Sequence, residues 1–451
     1  MKLLNFAALL LVPVTLAAAE VTDVKVRQLW PWSTNVRVSF TLADIETPVD
    51  VVSITATNGG EALDGARILE VARGELYLLG NGEHSFTFDP VKAFGAARRE
   101  LPEFKLQLGV AATSVVDGEE VLYRVYDLTT FARTDITRKE LLNYKYGEYE
   151  TDFSKLDAEN RSYWTSLENV LIWTGVTNYP GARTTKLVMR KIPAAGKTYS
   201  AGAIPNADDG SFITTQAGNP TVALAKNFWI GVFEITERQY SLLTAKDGAV
   251  GSAPTSLGDG YAAGKLCYKT LRGDPTEWGT GYPADPNTVT PTSMIQLMRD
   301  NLGAKVDLPA EYQWEYAARA GTTNATYVGR GATSGSDAQN IERKIAWNSD
   351  FTNSLQIVGQ LRPNAFGLYD IIGNANELCR DRMPDGDPSL VYTGDLEDPE
   401  GPTDLSYEWA MFRGGGCDRG TKDASVLRRR LLVRTKYTSE FIGMRLWMPG
   451  D

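Results

Sequence analysis

The residues able to do chemistry are few, and their inventory excludes more than it allows. The chain of 451 residues has one histidine, His84, and three cysteines, Cys267, Cys379 and Cys417. One histidine in the first hundred residues leaves the rest of the chain without Ser-His-Asp or Cys-His catalysis. His84 lies in Glu83-His84-Ser85-Phe86 and reads as a surface strand residue. Three cysteines allow at most one internal bridge, so no disulfide framework supports the fold. A Cys379–Cys417 bridge and three unpaired thiols both remain open. Glu311 and Glu315 are a carboxylate pair one helical turn apart. Two carboxylates can act as general acid and base on a glycosidic bond. Nothing nearby suggests a sugar pocket, and the pair is expected to hold loops. Asp381, Asp385 and Asp387 with Gly386 make an acidic loop without EF-hand spacing.

Those residues need elements to position them. From Lys186 onward, Leu187–Ile192 and Phe228–Ile235 read as strands, and Thr236 is a plausible cap for the helix that follows. A second helix is expected from about Ser293 to Leu302, stopped by Gly303. A third follows Pro309 and stops at Gly321. In it Trp314, Ala317 and Ala318 fall at i, i+3 and i+4, a core-facing stripe. Before Lys186 the pattern differs. Val24–Arg27, Val36–Phe40, Val51–Thr55, Leu106–Val110 and Val121–Val125 alternate or are β-branched, with Asn58-Gly59-Gly60 and Gly80-Asn81-Gly82 as turns. Residues 22–128 are therefore expected to form an immunoglobulin-like β-sandwich. Residues 129–185 read as a connector with one short helix.

The N-terminus carries Lys2, the apolar run Leu3–Leu16 and Ala17-Ala18-Ala19, the order of a signal peptide over residues 1–19 cut ahead of Glu20. Pro13 and the short length argue against a spanning helix. Export to the periplasm or beyond is expected, with no membrane span in the mature chain. Net charge is -10, and the densest basic stretch, Arg428-Arg429-Arg430 with Arg434, is short. Nucleic acid is thus a poor partner.

Five runs in the second half carry a resemblance. They are Phe228–Thr236; Leu308-Pro309-Ala310-Glu311-Tyr312-Gln313-Trp314-Glu315-Tyr316-Ala317-Ala318-Arg319-Ala320-Gly321; Pro363–Asp370 with Gly373-Asn374-Ala375-Asn376-Glu377; Arg413-Gly414-Gly415-Gly416; and Ile442-Gly443-Met444-Arg445-Leu446. In this order they resemble the formylglycine-generating enzyme, or sulfatase-modifying factor, superfamily over residues 186–449. The resemblance implies an α+β domain of C-type-lectin-like fold. Members that make formylglycine hold copper through cysteines six and eleven residues after the Arg of the glycine motif. Here those positions are Arg419 and Ala424, and soft Cu(I) needs thiolates. No copper is expected. The related iron-dependent branch uses a histidine-rich site, so no iron is expected either.

The resemblance also implies a structural calcium held by Asp370 and Glu377 side chains and the Gly373 and Ala375 carbonyls, ordinary oxygen ligands for that ion. Asn376 and Leu378 replace both tryptophans of the family motif, and 382–410 is a polar insertion. Both changes fall around the face that meets substrate in relatives. The resulting expectation is an exported, non-catalytic protein that binds a peptide, glycan or surface ligand. The alternatives are an oxidative maturation enzyme acting on an exported peptide and a structural envelope component.

Overall fold

The computed structural model describes residues 20–29, 35–46, 48–77, 79–95, 101–112, 115–116, 119–143, 149–150, 171–202, 220–246, 249–273, 289–322, 326–327, 343–383, 395–399, 409–420, 425–426 and 432–450. The expected signal peptide, Asp385, Asp387, Ala424 and Arg428–Arg430 lie outside the described residues.

The chain is a mostly β multidomain protein. Its first part comprises β1 (Glu20–Gln28), β2 (Val36–Ala43), β3 (Val49–Asn58), β4 (Glu61–Leu63), α1 (Gly65–Val71), β5 (Ala72–Gly74), β6 (Gly82–Phe88), α2 (Pro90–Phe94) and β7 (Phe104–Ala112). They form one sheet of order β1-β2-β6-β5 and another of order β4-β3-β7. Alternation explains how the sheets share a core. Val38, Phe40 and Leu42 of β2 and Phe86 and Phe88 of β6 point inward, against Val51, Ile54 and Leu106 of the second sheet. The same period puts His84 on the inner side. It is 7% exposed and in strand β6, so the surface position expected for it is corrected. Its Nε2 bonds the Gly80 carbonyl, and the Glu75 carboxylate, 3.7 Å from Nδ1, raises the imidazole pKa.

β8 (Val115–Val116) leads into β9 (Glu119–Asp127) and β10 (Arg133–Thr137), followed by α3 (Arg138–Asn143), β11 (Tyr149–Glu150) and β12 (Ile172–Trp173). Then come β13 (Lys186–Ile192), β14 (Lys197–Ser200), β15 (Thr221–Leu224) and β16 (Phe228–Gly231). The helices are α4 (Glu237–Leu243), α5 (Tyr268–Arg272), α6 (Met294–Leu302) and α7 (Glu311–Arg319). The closing strands are β17 (Asn376–Met383), β18 (Leu396–Glu397), β19 (Trp409–Arg413), β20 (Leu432–Arg434), β21 (Ile442–Gly443) and β22 (Trp447–Pro449).

The main sheet runs β10-β9-β13-β16-β22, and a second runs β20-β19-β17-β21. Thus β9 pairs with β13 through Lys186↔Asp127 and Val188↔Val125, although it precedes β13 by some sixty residues of chain. Strand membership changes sheets at Val115, where β8 pairs with β9, inside the range read as the sandwich.

The helix boundaries follow local signals. Thr236 and Gln239 form a reciprocal capping box at α4. Ser293 caps α6, and Gly303 ends it at φ 64°. In α7, Trp314, Ala317 and Ala318 are fully buried. The strand expected over Phe228–Ile235 stops at Gly231, because the chain beyond turns to place Glu234 inside. No described helix is long and apolar enough to cross a membrane.

Candidate functional site

β17, the turn before it, β19 and the Arg445 segment converge on one buried polar centre. Glu377 is the second residue of β17, and Arg445 follows β21. Both are essentially inaccessible to solvent. Arg445 donates from Nη2 to Glu377 Oε1 at 2.7 Å and from Nε to both carboxylate oxygens at 3.1 Å. Trp314 Nε1 of α7 donates to Oε2 at 2.7 Å. Arg445 also bonds the carbonyls of Gly231 and Tyr369, tying β16 to the segment before β17.

Two further carboxylates share this interior. Glu234 accepts from the Ala375 backbone N–H at 2.7 Å and from Asn374 Nδ2 at 2.5 Å. Burial, then Asp370 and Glu377, push its pKa well above the ordinary carboxylate range. Asp370, at φ 51°, accepts from Gly359 N–H through Oδ2 at 2.6 Å. Its Oδ1 is buried without a hydrogen-bond partner among the described residues. Burial pushes its pKa up to about 6 against the opposing pull of the Gly359 N–H and Arg445.

The expected calcium ligands can be tested against this geometry. Asp370 fits a hard cation, since a buried oxygen lacks a partner. Glu377 does not fit, because its two oxygens already face Arg445 and Trp314, and a dication there would oppose a guanidinium. Gly373, at φ 82°, packs under Trp347: a Cβ there would lie 2.3 Å from the Trp347 carbonyl oxygen. Ala375 presents its N–H to Glu234. No three Asp, Glu, His or Cys side chains gather as a metal cage among the described residues.

A second ionic group pins the helix face. Arg413 Nη2 contacts Glu315 at 2.5 Å, Arg413 Nη1 contacts Glu311 at 3.5 Å, and Arg319 contacts Glu315 at 2.6 Å. Glu315 also accepts from the Gly202 N–H, and Asp381 accepts from the Glu311 N–H. Every carboxylate here holds a loop or strand.

The glycine-rich loop after β19 has been rebuilt around Asn376. Its Oδ1 accepts from Gly416 N–H, and its Nδ2 donates to Asp418 Oδ1 and the Phe441 carbonyl. A Cβ at Gly416 would lie 2.4 Å from Asn376 Nδ2 and 2.7 Å from Asp418 Oδ1. The glycine at 416 and the asparagine at 376 are thus one steric solution. Leu378, the other replaced tryptophan, is buried beside Phe412 in the main core.

All three cysteines are unpaired and buried. Cys417 belongs to one core cluster and Cys379 to another. Burial, with help from Asp418 and Glu234, pushes the Cys417 thiol up to about 12, and burial also raises Cys379 well above its ordinary value. Neither is a thiolate at neutral pH. Arg419, at the first of the two copper-cysteine positions, is partly exposed beside Asp418.

Residues 194–448 match the family described as the sulfatase-modifying factor enzyme 1-like domain, more than half the chain. The chain belongs to this family. Among curated relatives it is 24% identical over 257 residues to the chaperone protein LppX of Paenibacillus barcinonensis, covering 51% of this chain and 84% of that one. It is 33% identical over 116 residues to the serine/threonine-protein kinase pkn1 of Chlamydia pneumoniae, 26% of this chain but only 16% of that protein's length. Solved structures similar to this formylglycine-generating-enzyme-like domain include Treponema denticola variable protein 1, with TM-score 0.42, 18% identity and 58% and 95% coverage of the two chains. PvdO from Pseudomonas aeruginosa matches with TM-score 0.42, 20% identity and 58% and 94% coverage.

Sequence reading missed Glu234 and Arg445 as members of the buried centre. Each had a signal: a charged residue inside an otherwise apolar run, Phe233-Glu234-Ile235 and Met444-Arg445-Leu446. Such a charge must be paired inside the fold.

Proposed function

We propose that this is an exported binding protein whose formylglycine-generating-enzyme-like domain has lost the family's oxidase chemistry. The observation that carries the reading is the loop after Arg413. It offers Arg419 where a copper ligand is needed, and its one cysteine, Cys417, is a buried neutral thiol. The first part supports the reading too. We read strand orders β1-β2-β6-β5 and β4-β3-β7 as an immunoglobulin-like sandwich, a frequent scaffold of surface proteins. The relative named a chaperone protein would also fit a binding role.

The test is made on protein secreted by its native host. Intact mass should give a chain beginning near Glu20, copper content should be below one-tenth of an equivalent, and a cysteine-containing peptide should emerge unoxidised. An array of peptides and glycans should return a ligand. Stoichiometric copper with peptide oxidation would replace this reading with a maturation enzyme. An empty array would leave a structural envelope role.

Calcium enters as a proposed structural ion at Asp370, with the Gly373 and Ala375 carbonyls completing oxygen ligation. Its support is the partnerless Asp370 Oδ1 and the surplus of three buried carboxylates over one buried guanidinium, Arg445, with the part-buried Arg183 nearby. Calcium at a hundredfold excess over its Kd should stabilise the wild type by about 2.7 kcal/mol. Asp370→Asn should lose most of that increment. An identical melting temperature in chelator and in millimolar calcium would remove the ion from the account.

A further inference from the structure

A cleft of about 910 Å³ opens between the outer face of the first sheet and α6 of the second half. It lies at a domain junction and falls in the size range of ligand sites. Its sheet wall is unusual in charge. The registers Arg27↔Arg37, Arg37↔Thr87 and Arg73↔Thr87 place three arginines and one threonine in a single transverse row across β1, β2, β6 and β5; Arg37, Thr87 and Arg73 line the cleft, and Arg27 extends the row beyond it. Like charges directly opposed on neighbouring strands are destabilising. No carboxylate stands in the row to offset Arg27 against Arg37.

Across the cleft, Arg299 and Lys305 add positive charge, while Glu75 and Asp300 return only part of it. Arg73 is committed to the carbonyls of Glu70, Ala72 and Thr130, and Arg299 to Val306 and Asp307. Arg37 and Lys305 have no ion pair or hydrogen bond among the described residues, Lys305 acts on Glu75 only through space, and both are exposed. A basic cleft on a chain of net charge -10 is a local reversal of sign, and field focusing in a cleft strengthens it.

We propose that this cleft binds an acidic peptide segment, with Arg37 and Lys305 as the cations that meet its carboxylates. Ser85, Thr87 and Gln296 supply further polar contacts along the walls. A peptide is preferred over an acidic sugar because the cleft has no open aromatic platform. Arg133 covers the Tyr77 ring at 4.7 Å, and Arg380 covers the Trp447 ring at 4.8 Å. The inference rests on the binding reading above, and places that binding at a named site.

The full mature chain is titrated with labelled N-acetyl-hexaglutamate amide, hexalysine and an oligogalacturonate, by fluorescence anisotropy at two salt concentrations. The charge-reversed double variant R37E/K305E is compared, with its melting temperature as a folding control. The expected result is binding of hexaglutamate alone, weakened by salt and by at least about tenfold in the variant. No hexaglutamate binding, equal affinity in the variant, or preference for the oligogalacturonate would overturn the proposal. If the array returns a ligand that R37E/K305E binds unchanged, the cleft falls and the binding reading stands.

Discussion

Replacing Glu377 by alanine is expected to lower stability by about 3–5 kcal/mol, equally in calcium and in chelator. Among the described residues the carboxylate is the only acidic side chain that Arg445 hydrogen-bonds, and neither group reaches solvent. Removing it leaves the buried guanidinium hydrogen-bonded to the Gly231 and Tyr369 carbonyls, with Glu234 and Asp370 acting on it only through space, and leaves Trp314 Nε1 without an acceptor. The guanidinium cannot relieve the cost by losing its proton. Glu377→Gln should cost less, since its amide oxygen still serves Trp314 or Arg445 though the charge is gone. The double variant E377M/R445M should recover part of the loss, because the guanidinium is removed with its partner, while Glu234 and Asp370, whose pKa values burial already raises, can take up protons. Denaturant unfolding measures all three. A loss below about 1 kcal/mol for Glu377→Ala would show that the pair does not support the fold. A loss seen only in calcium would return Glu377 to the role of metal ligand.

This centre also shows what sequence can and cannot carry. Helices were legible where their signals are local: Thr236 and Gln239, or Ser293 and Gly303, act within one turn of the residues they stop or start. The buried face of α7 was legible for the same reason, since helical spacing aligns Trp314 with Ala317 and Ala318. The partner of Glu377 was not legible from spacing, because Arg445 lies 68 residues away and reaches it only through the parallel pairing of β17 with β21. Strand register decides such contacts, and register depends on strands far apart in the chain. His84 was misplaced although a local signal existed. His84, Phe86 and Phe88 keep one period-two face, and two inward phenylalanines fix the side on which the histidine falls. The calcium ligand set came from resemblance. It assigned Glu377 an ion, whereas the fold also supplies that carboxylate with a guanidinium.

The second large effect is expected where the two halves meet. Asp50 of β3 belongs to the first sheets, yet its carboxylate faces two arginines of the main sheet. Arg133 of β10 lies 2.5 Å from Asp50 Oδ2, and Arg124 of β9 lies 3.7 Å from the same oxygen. Asp135 balances the group, contacting both Arg124 and Arg133. The arginines are further enclosed by rings, Arg124 at 4.2 Å over Trp229 and Arg133 at 4.7 Å over Tyr77. Burial pulls the Arg133 pKa down, but Asp50 and Asp135 outweigh it and hold the guanidinium above its ordinary value. With Asp50 removed, two buried cations share one carboxylate. Asp50→Ala should therefore cost about 3–5 kcal/mol, and Asp50→Asn somewhat less. The loss should be spatially uneven. Other described ties near this junction are the backbone bonds from Leu76 and Tyr77 to the Gly303 carbonyl, the Arg73 bond to the Thr130 carbonyl and the edge contact of Tyr77 with Tyr126. In the variant the first sheets should open before the main sheet, splitting one calorimetric transition into two. Hydrogen exchange should accelerate in β2, β3 and β6 before it does in β13 and β16. One transition at an unshifted temperature would show that the ion group does not couple the two halves.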